Sequence, residues 1–155
     1  MAGSTLFVGE FEHSIDDKSR LAVPARFRTA FENGLYITRG LDPCLVIWDE
    51  ATWNAQAQDI GALNWWDNRS RRFQRRFFGG AIRAVPDKLG RIVIPRNLRE
   101  YAQLDSDVVL VGLGDRCEIW SAAEWGRERA EVERSGADIG EHLAARRYGT
   151  EPRAG

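Results

Sequence analysis

Short apolar runs alternate with polar turns along the whole chain, and this pattern predicts short β-strands. The predicted strands are 6–15, 21–23, 35–38, 44–48, 81–85, 91–94, 107–111 and 116–120. Apolar residues spaced four apart, such as Phe27 and Phe31, predict short helices between the strands. The predicted helices are 24–32, one that begins at 49 or 50 and ends at about 60, 65–77, 95–104 and 121–134. Strands and helices mixed in this order predict an α+β chain.

One stretch of sequence occurs twice, because Asp16–Arg28 returns as Asp87–Arg99, 71 positions later and without a gap. Four pairs of positions are identical: Asp16 and Asp87, Arg20 and Arg91, Pro24 and Pro95, Arg28 and Arg99. The spacing Trp48-x4-Trp53 also returns, as Trp120-x4-Trp125 at an offset of 72. Since these features recur in the same order, we infer an internal duplication.

Each copy of the repeated stretch indicates a polar turn, a short apolar strand, a proline and a helix. The proline ends the strand and can occupy the first helical turn, where its missing N–H is not needed. The aspartate at the turn can accept hydrogen bonds from turn N–H groups or bind the arginine four positions later. Gly90 can supply a positive φ in the second turn. The alternative is a solvated hairpin tip with a surface ion pair, which contributes little stability.

Four segments follow from the duplication: repeat 1 at 5–64, an arginine-rich connector helix at 65–77, repeat 2 at 78–134, and a tail at 135–155. Asn68 is a candidate N-cap of the connector. The final helix is expected to stop at Ser135–Gly136. The tail is rich in glycine, alanine and charge, so we expect it to be weakly ordered.

On the connector helix, Trp66, Phe73 and Phe77 share one face, flanked by Arg71, Arg72, Arg75 and Arg76. Two interpretations stay open. The aromatic face packs on the core and the arginines are solvated, or the arginines meet phosphate or an acidic neighbouring subunit.

Positive charge is concentrated in the middle of a chain whose 155 residues carry a net charge of −1. From position 69 to position 99 there is one acid, Asp87, against ten basic residues: Arg69, Arg71, Arg72, Arg75, Arg76, Arg83, Lys88, Arg91, Arg96 and Arg99. This asymmetry favours a polyanionic partner over an enzyme pocket.

Catalytic, metal and membrane functions are not indicated by the sequence. It contains no glycine-rich phosphate loop, metal-ligand cluster or nucleophile–base pair, so we expect neither an enzyme nor a cofactor. Cys44 and Cys117 have no C-x-x-C spacing, and buried thiols are expected. No apolar run approaches the roughly 18 residues of a membrane span.

The repeated stretches resemble the MraZ family. The resemblance rests on Phe7–Phe11 followed by Ile15–Arg28, on Asp87–Pro95 with Leu98–Ala102, and on the Trp-x4-Trp pairs and the connector, and it covers roughly residues 6–130. Ser19 stands where the family pattern has glycine, so the first turn is expected to differ in shape from the second.

The resemblance implies a fold of two AbrB-like half-units of the swapped-hairpin (SpoVT-AbrB) type, forming a β-barrel with internal pseudo-twofold symmetry and peripheral helices. It also implies a ring-shaped homo-oligomer. The function implied is that of a cytoplasmic, nucleoid-associated bacterial transcriptional regulator. Such a regulator binds short G-rich direct repeats of double-stranded DNA in the promoter of the division and cell-wall gene cluster, usually including its own gene.

In the family, the Asp-x-x-x-Arg turns carry DNA binding, and here the matching residues are Asp16 with Arg20 and Asp87 with Arg91. Arginine suits guanine because it can contact O6 and N7 together in the major groove. Contacts to phosphate, which position without specifying sequence, are expected from Lys18, Lys88, Arg26, Arg28, Arg96 and Arg99. The alternative is an AbrB-type, antitoxin-like module whose connector helix grips another protein.

Overall fold

The computed structural model describes residues 6–149. Its strands are β1 (Phe7–Ser14), β2 (Arg20–Ala22), β3 (Leu35–Arg39), β4 (Leu45–Asp49), β5 (Ile82–Ala84), β6 (Arg91–Val93), β7 (Asp107–Gly114) and β8 (Cys117–Ser121). Its helices are α1 (Arg28–Phe31), α2 (Glu50–Gly61), α3 (Asn68–Gly79), α4 (Arg96–Tyr101) and α5 (Ala122–Tyr148), with a short 3-10 turn, Ala25–Phe27, before α1. The predicted α+β class is confirmed, and each predicted strand is present.

Each of the two antiparallel sheets combines strands from both repeats. The larger sheet has the order β1–β7–β8–β4–β3–β5, and β2 pairs with β6 in a separate ribbon. The first strand of each repeat therefore pairs with the third strand of the other, as β1 does with β7 and β5 with β3. Neither repeat completes its own sheet, so the two repeats fold as one unit.

The pairing register is symmetric between the repeats. Leu21 pairs with Ile92, its counterpart 71 positions later, and Val46 pairs with Glu118, its counterpart 72 positions later. The expected closed barrel is not confirmed, since among residues 6–149 the strand order begins at β1 and ends at β5.

The main core lies beneath the β2–β6 ribbon and the large sheet. Phe7 stacks on Phe31 with ring centroids 5.0 Å apart, and Phe27 meets Phe7 edge to face. Leu21 and Ile92 point from the ribbon into this cluster and are almost fully buried. Burying large side chains from both repeats in one cluster favours folding of the repeats together.

A second aromatic cluster attaches the connector to the sheet. Trp53 of α2 stacks between Tyr36 and Phe77, with ring centroids 4.7 Å away on each side. The predicted packing of the connector's aromatic face is therefore correct for Phe77, but it is wrong for Trp66, which is 82% exposed. Trp66 lies before α3 begins, so the helical spacing does not apply to it.

The N-cap of the connector helix is Asp67, and the prediction of Asn68 is wrong. The Asp67 carboxylate accepts a hydrogen bond from the Arg69 N–H at 2.9 Å. An ionised carboxylate at a helix N-terminus is also favoured by the helix dipole.

The last helix, which is described by itself, does not stop at Ser135–Gly136 as predicted. It continues to Tyr148 and spans 27 residues. The Ser135 hydroxyl donates to the Glu131 carbonyl inside the helix, at 2.8 Å, so it does not terminate the helix. Each helical glycine, such as Gly136 and Gly140, costs only about 1 kcal/mol relative to alanine, which ion pairs such as Arg134–Glu131 help to offset. Positions 150–155 of the predicted tail lie outside the described residues.

None of the helices in the described part of the chain is both long enough and apolar enough to cross a bilayer.

Candidate nucleic-acid interface

The first Asp-x-x-x-Arg turn is organised by the Asp16 carboxylate. Its Oδ1 accepts hydrogen bonds from the N–H groups of Lys18, at 2.9 Å, and Arg20, at 2.8 Å. Its Oδ2 accepts from Arg20 Nε at 2.7 Å. The carboxylate therefore closes the turn and orients the arginine at the same time.

The second turn repeats this arrangement around Asp87. Its Oδ1 accepts from the N–H groups of Leu89 and Arg91, both at 2.9 Å. Its Oδ2 accepts from Arg91 Nε at 2.8 Å. The alternative of a bare surface ion pair is therefore incomplete, because each aspartate also holds two backbone N–H groups.

Ser19 adopts the same left-handed conformation as Gly90, with φ of 61° against 75°. The Ser19 N–H bonds the Asp16 carbonyl at 3.0 Å, and the Gly90 N–H bonds the Asp87 carbonyl at 2.9 Å. The expected difference in turn shape is therefore wrong. The serine adopts a conformation that glycine reaches without steric cost.

Hydrogen bonding keeps both aspartates ionised. The backbone N–H of Arg20 is the main reason that the pKa of Asp16 lies below its usual value, and the backbone N–H of Arg91 does the same for the pKa of Asp87. Smaller contributions come from the arginine side chains. A carboxylate that stays ionised at neutral pH holds the arginine in one orientation.

Both arginines lie on the outer face of the β2–β6 ribbon. Arg20 pairs with Val93 and Ala22 with Arg91, so the arginines are diagonal neighbours, with Cα atoms roughly 7–8 Å apart. Their side chains are 29% and 30% exposed. Within residues 6–149, only Nε of each guanidinium is hydrogen-bonded, which leaves both Nη groups able to bind an external acceptor.

The predicted phosphate contacts fall into two groups. Lys18 and Lys88 are exposed at the turn tips, and Arg26 and Arg96 are exposed at the helices that follow the ribbon strands. Arg96 Nε lies 2.9 Å from a Glu100 carboxylate oxygen in a highly exposed ion pair. These four cations surround the ribbon, and they remain predicted contacts.

Arg28 and Arg99 have partners inside the protein that sequence reasoning missed, although the Arg28 residue as a whole is exposed and Arg99 is half-buried. Arg99 Nη1 donates to the Ser19 hydroxyl at 2.9 Å, and Arg28 Nε donates to the Val23 carbonyl at 3.2 Å. Each arginine also reaches the turn of the opposite repeat, since the Arg28 side chain lies against Gly90. The sequence held no signal for this arrangement, because it depends on which strands pair.

Among the connector arginines, Arg76 is held inside the protein. Its Nη2 donates to the Gly40 carbonyl at 2.7 Å and contacts the Tyr101 hydroxyl. Arg71 donates to the Trp65 carbonyl, whereas Arg72 and Arg75 are exposed. The inner face of the connector therefore packs on the sheet, as in the first interpretation, and contact of the exposed arginines with phosphate or a neighbouring subunit stays a prediction.

The remaining chemistry-bearing groups form no obvious reactive site. In residues 6–149 no cluster of three His, Cys, Asp or Glu side chains could hold a metal ion. Cys44 and Cys117 are buried, as expected, and burial raises the pKa of the Cys117 thiol to about 12.

Fold and site together define a class: an internally duplicated α+β protein that presents two carboxylate-held arginines on one exposed ribbon. The family described as "MraZ protein, putative antitoxin-like" matches the chain twice, at residues 6–76 and 77–146. The chain belongs to the MraZ family. The second match continues to residue 146, well beyond position 130, where the sequence resemblance ended.

Curated relatives are similar in sequence to this chain over most of their lengths. A relative from Desulforamulus reducens is 44% identical over 89% of this chain and 97% of its own, and one from Desulfitobacterium hafniense DCB-2 is 46% identical over 89% and 96%. A third, from a Roseiflexus species, is 39% identical over 92% of this chain and all of its own. All three are named transcriptional regulator MraZ, and this naming confirms the predicted non-enzymatic class.

Proposed function

We propose that this protein regulates transcription by binding double-stranded DNA in a sequence-specific manner through Arg20 and Arg91. The observation that carries the proposal is the pair of Asp–Arg turns on one ribbon face, where Nε of each arginine is bound to its aspartate and the Nη groups have no hydrogen-bond partner among residues 6–149. The names of the relatives support the same function.

The chemistry of the turns suits guanine. A guanidinium with Nε occupied still presents two Nη groups side by side, and these match the O6 and N7 acceptors of guanine in the major groove. Asp16 and Asp87 fix each side chain before DNA arrives, which reduces the entropy lost on binding. A two-stranded β-ribbon also fits the width of the major groove.

Phosphate contacts are assigned to the exposed cations around the ribbon. Lys18 and Lys88 extend from the turn tips, and Arg26 and Arg96 flank the ribbon from the following helices. Such contacts set the register of the protein on DNA and make affinity depend on salt.

The target we propose is a set of short G-rich direct repeats in the promoter of the division and cell-wall gene cluster, including the gene of this protein. One subunit offers one ribbon, so a ring-shaped homo-oligomer would engage successive repeats and gain from effective concentration. Within each subunit, the symmetric strand exchange supports an AbrB-like, swapped-hairpin arrangement. The barrel with internal pseudo-twofold symmetry remains part of the proposal. The protein would act in the cytoplasm as a nucleoid-associated regulator.

Binding of the chain to its own promoter DNA tests this function directly. Fluorescence anisotropy should show tighter binding to the promoter than to a shuffled duplex of equal length. Affinity should fall with salt, with a log–log slope near −0.9 for each phosphate neutralised. Native mass measurement with and without DNA gives the subunit number. Equal binding to both duplexes, or a flat salt response, would contradict the proposal.

A second candidate is the antitoxin-like interaction module, which the family description itself mentions. Trp65 and Trp66, exposed beside the arginines of α3, provide a surface that could grip another protein. The promoter-binding experiment separates the two functions, because an interaction module of this kind would not distinguish promoter from shuffled DNA.

A further inference from the structure

The two turns are physically connected through the residues in the left-handed conformation. The Gly90 carbonyl accepts a hydrogen bond from the Val23 N–H at 2.8 Å, and the Ser19 carbonyl accepts from the Ile94 N–H at 2.9 Å. Val23 and Ile94 are counterparts in the two repeats. Each turn is therefore bonded, at its residue in the left-handed conformation, to the residue that follows the ribbon strand of the opposite repeat.

An arginine from the opposite repeat also covers each of these constrained residues. Arg99 of repeat 2 donates from Nη1 to the Ser19 hydroxyl at 2.9 Å. Arg28 of repeat 1 lies against Gly90, where an added Cβ would be 2.5 Å from its Nε and 2.9 Å from its Cδ. Arg28 and Arg99 are counterparts in the two repeats, so the two contacts are related by the internal symmetry of the chain.

The difference between Ser19 and Gly90 now has a structural reason. At the second turn the Arg28 side chain fills the space that a side chain at position 90 would need. At the first turn the Ser19 side chain is present, and its hydroxyl serves as the acceptor for Arg99. The two turns have the same backbone shape but are held by different contacts.

We propose that Arg28 and Arg99 are positioning residues: each holds the turn of the opposite repeat in the shape that presents Arg20 or Arg91 to DNA. This role replaces the phosphate contacts that the sequence suggested for them. The inference rests on the proposed DNA binding, and it makes the two Asp–Arg turns one coupled unit.

Coupling has a direct consequence for recognition. The direction of Arg20 depends on the Asp16 turn, and that turn includes Ser19, which Arg99 holds. Removing the Arg99 side chain should loosen the first turn and weaken the reading of a base, although Arg99 itself does not touch DNA. Removing a residue that binds phosphate would instead reduce the salt dependence of DNA binding, because fewer counterions are released when the complex forms.

The salt dependence of DNA binding separates a positioning role from a phosphate contact. We would compare the full-length chain with Arg99→Ala, Ser19→Ala and the double variant on promoter DNA, at several salt concentrations. Arg96→Ala is the matched control, because Arg96 lies on the same helix and is exposed. Thermal unfolding of each variant shows whether it is folded.

For Arg99→Ala we expect affinity to fall about tenfold with an unchanged salt slope. Ser19→Ala should produce a similar decrease, and the double variant should be no worse than either single one. The Arg96→Ala control should instead reduce the magnitude of the slope by about 0.9 for each phosphate that Arg96 neutralises. Additive effects of Arg99 and Ser19, a reduced slope in Arg99→Ala, or an unchanged affinity would each overturn the inference.

A second measurement does not depend on DNA. The wild type, Arg99→Ala, Ser19→Ala and the double variant define a double-mutant cycle in the free energy of unfolding, which reports the coupling between Arg99 and Ser19 directly. A wild-type protein that fails to bind promoter DNA would defeat the proposed function alone. Zero coupling in the unfolding cycle would defeat the inference, whatever happens with DNA.

Discussion

Leu21 pairs with Ile92 at the centre of the β2–β6 ribbon, and each residue is the other's counterpart in the duplicated sequence. Both side chains point into the core. The arginine that precedes each of them, Arg20 or Arg91, points outward. The pair that joins the two repeats therefore also places the two arginines diagonally across the ribbon from each other.

Replacing Leu21 with alanine should destabilise the protein by about 2–5 kcal/mol, because it removes buried methyl groups and leaves a cavity. The matched control is Leu89→Ala, whose side chain is exposed at the tip of the second turn. That change should stay within about 0.5 kcal/mol. Urea unfolding of both variants measures the difference, and equal effects would contradict the packing described for the ribbon.

Gly90→Ala should destabilise the second turn by about 1–2 kcal/mol, since alanine is strained at a φ of 75°. The added methyl group would also displace Arg28. Gly61→Ala provides the control: it lies in the last turn of α2 with no heavy atom near its added Cβ, so it should be neutral or stabilising. If both substitutions behave alike in thermal unfolding, the positive φ of Gly90 is not important for stability.

The duplication and the Asp–Arg turns could be predicted from the sequence because their signals are local. Asp16 bonds residues two and four positions away, and such spacings are visible in one dimension. The eight strands could be predicted for the same reason. The serine at position 19 indicates a distorted turn, yet the pattern of bonds to Asp16 fixes the same backbone shape as in the second repeat.

The exchange of strands could not be predicted from the sequence, because pairing partners are far apart in the chain. Nothing local indicates that β1 pairs with β7 or that Arg99 reaches Ser19, 80 positions away. The length of α5 escapes prediction for a different reason. The helix continues through Gly136 and Gly140, and only the sum of many small terms, such as its helical ion pairs, decides where it ends.

The contribution of Asp87 to the free energy of unfolding should depend on pH only under acidic conditions. Its pKa lies below the ordinary value of 3.8, so the stabilisation is fully present above that value and is lost as the pH falls through the lower folded-state pKa. The difference in unfolding free energy between the wild type and Asp87→Asn should stay constant from pH 5 to pH 8 and shrink below about pH 4. A difference that changes near neutral pH would point to another titrating group.

Trp53→Ala should destabilise the protein by about 3–5 kcal/mol, because Trp53 is the buried ring between Tyr36 and Phe77. Trp66→Ala removes the same side chain from an exposed site and should change stability by less than about 0.5 kcal/mol. Guanidinium unfolding checks both. A large destabilisation in Trp66→Ala would show that this residue is covered in solution, which would favour a role in subunit or partner contacts.

Arg91→Ala should weaken binding to the G-rich promoter repeats by about 1–3 kcal/mol if Arg91 contacts a guanine edge. Arg91→Lys keeps the positive charge but not the two-pronged contact, so it should lose promoter affinity while its binding to a shuffled duplex is preserved. Arg20→Ala and Arg20→Lys should behave in the same way, because the two turns are equivalent in geometry. Competition anisotropy against promoter and shuffled duplexes separates a change in specificity from a change in charge. Lysine variants that retain full promoter preference would show that these arginines contact phosphate and that another residue reads the bases.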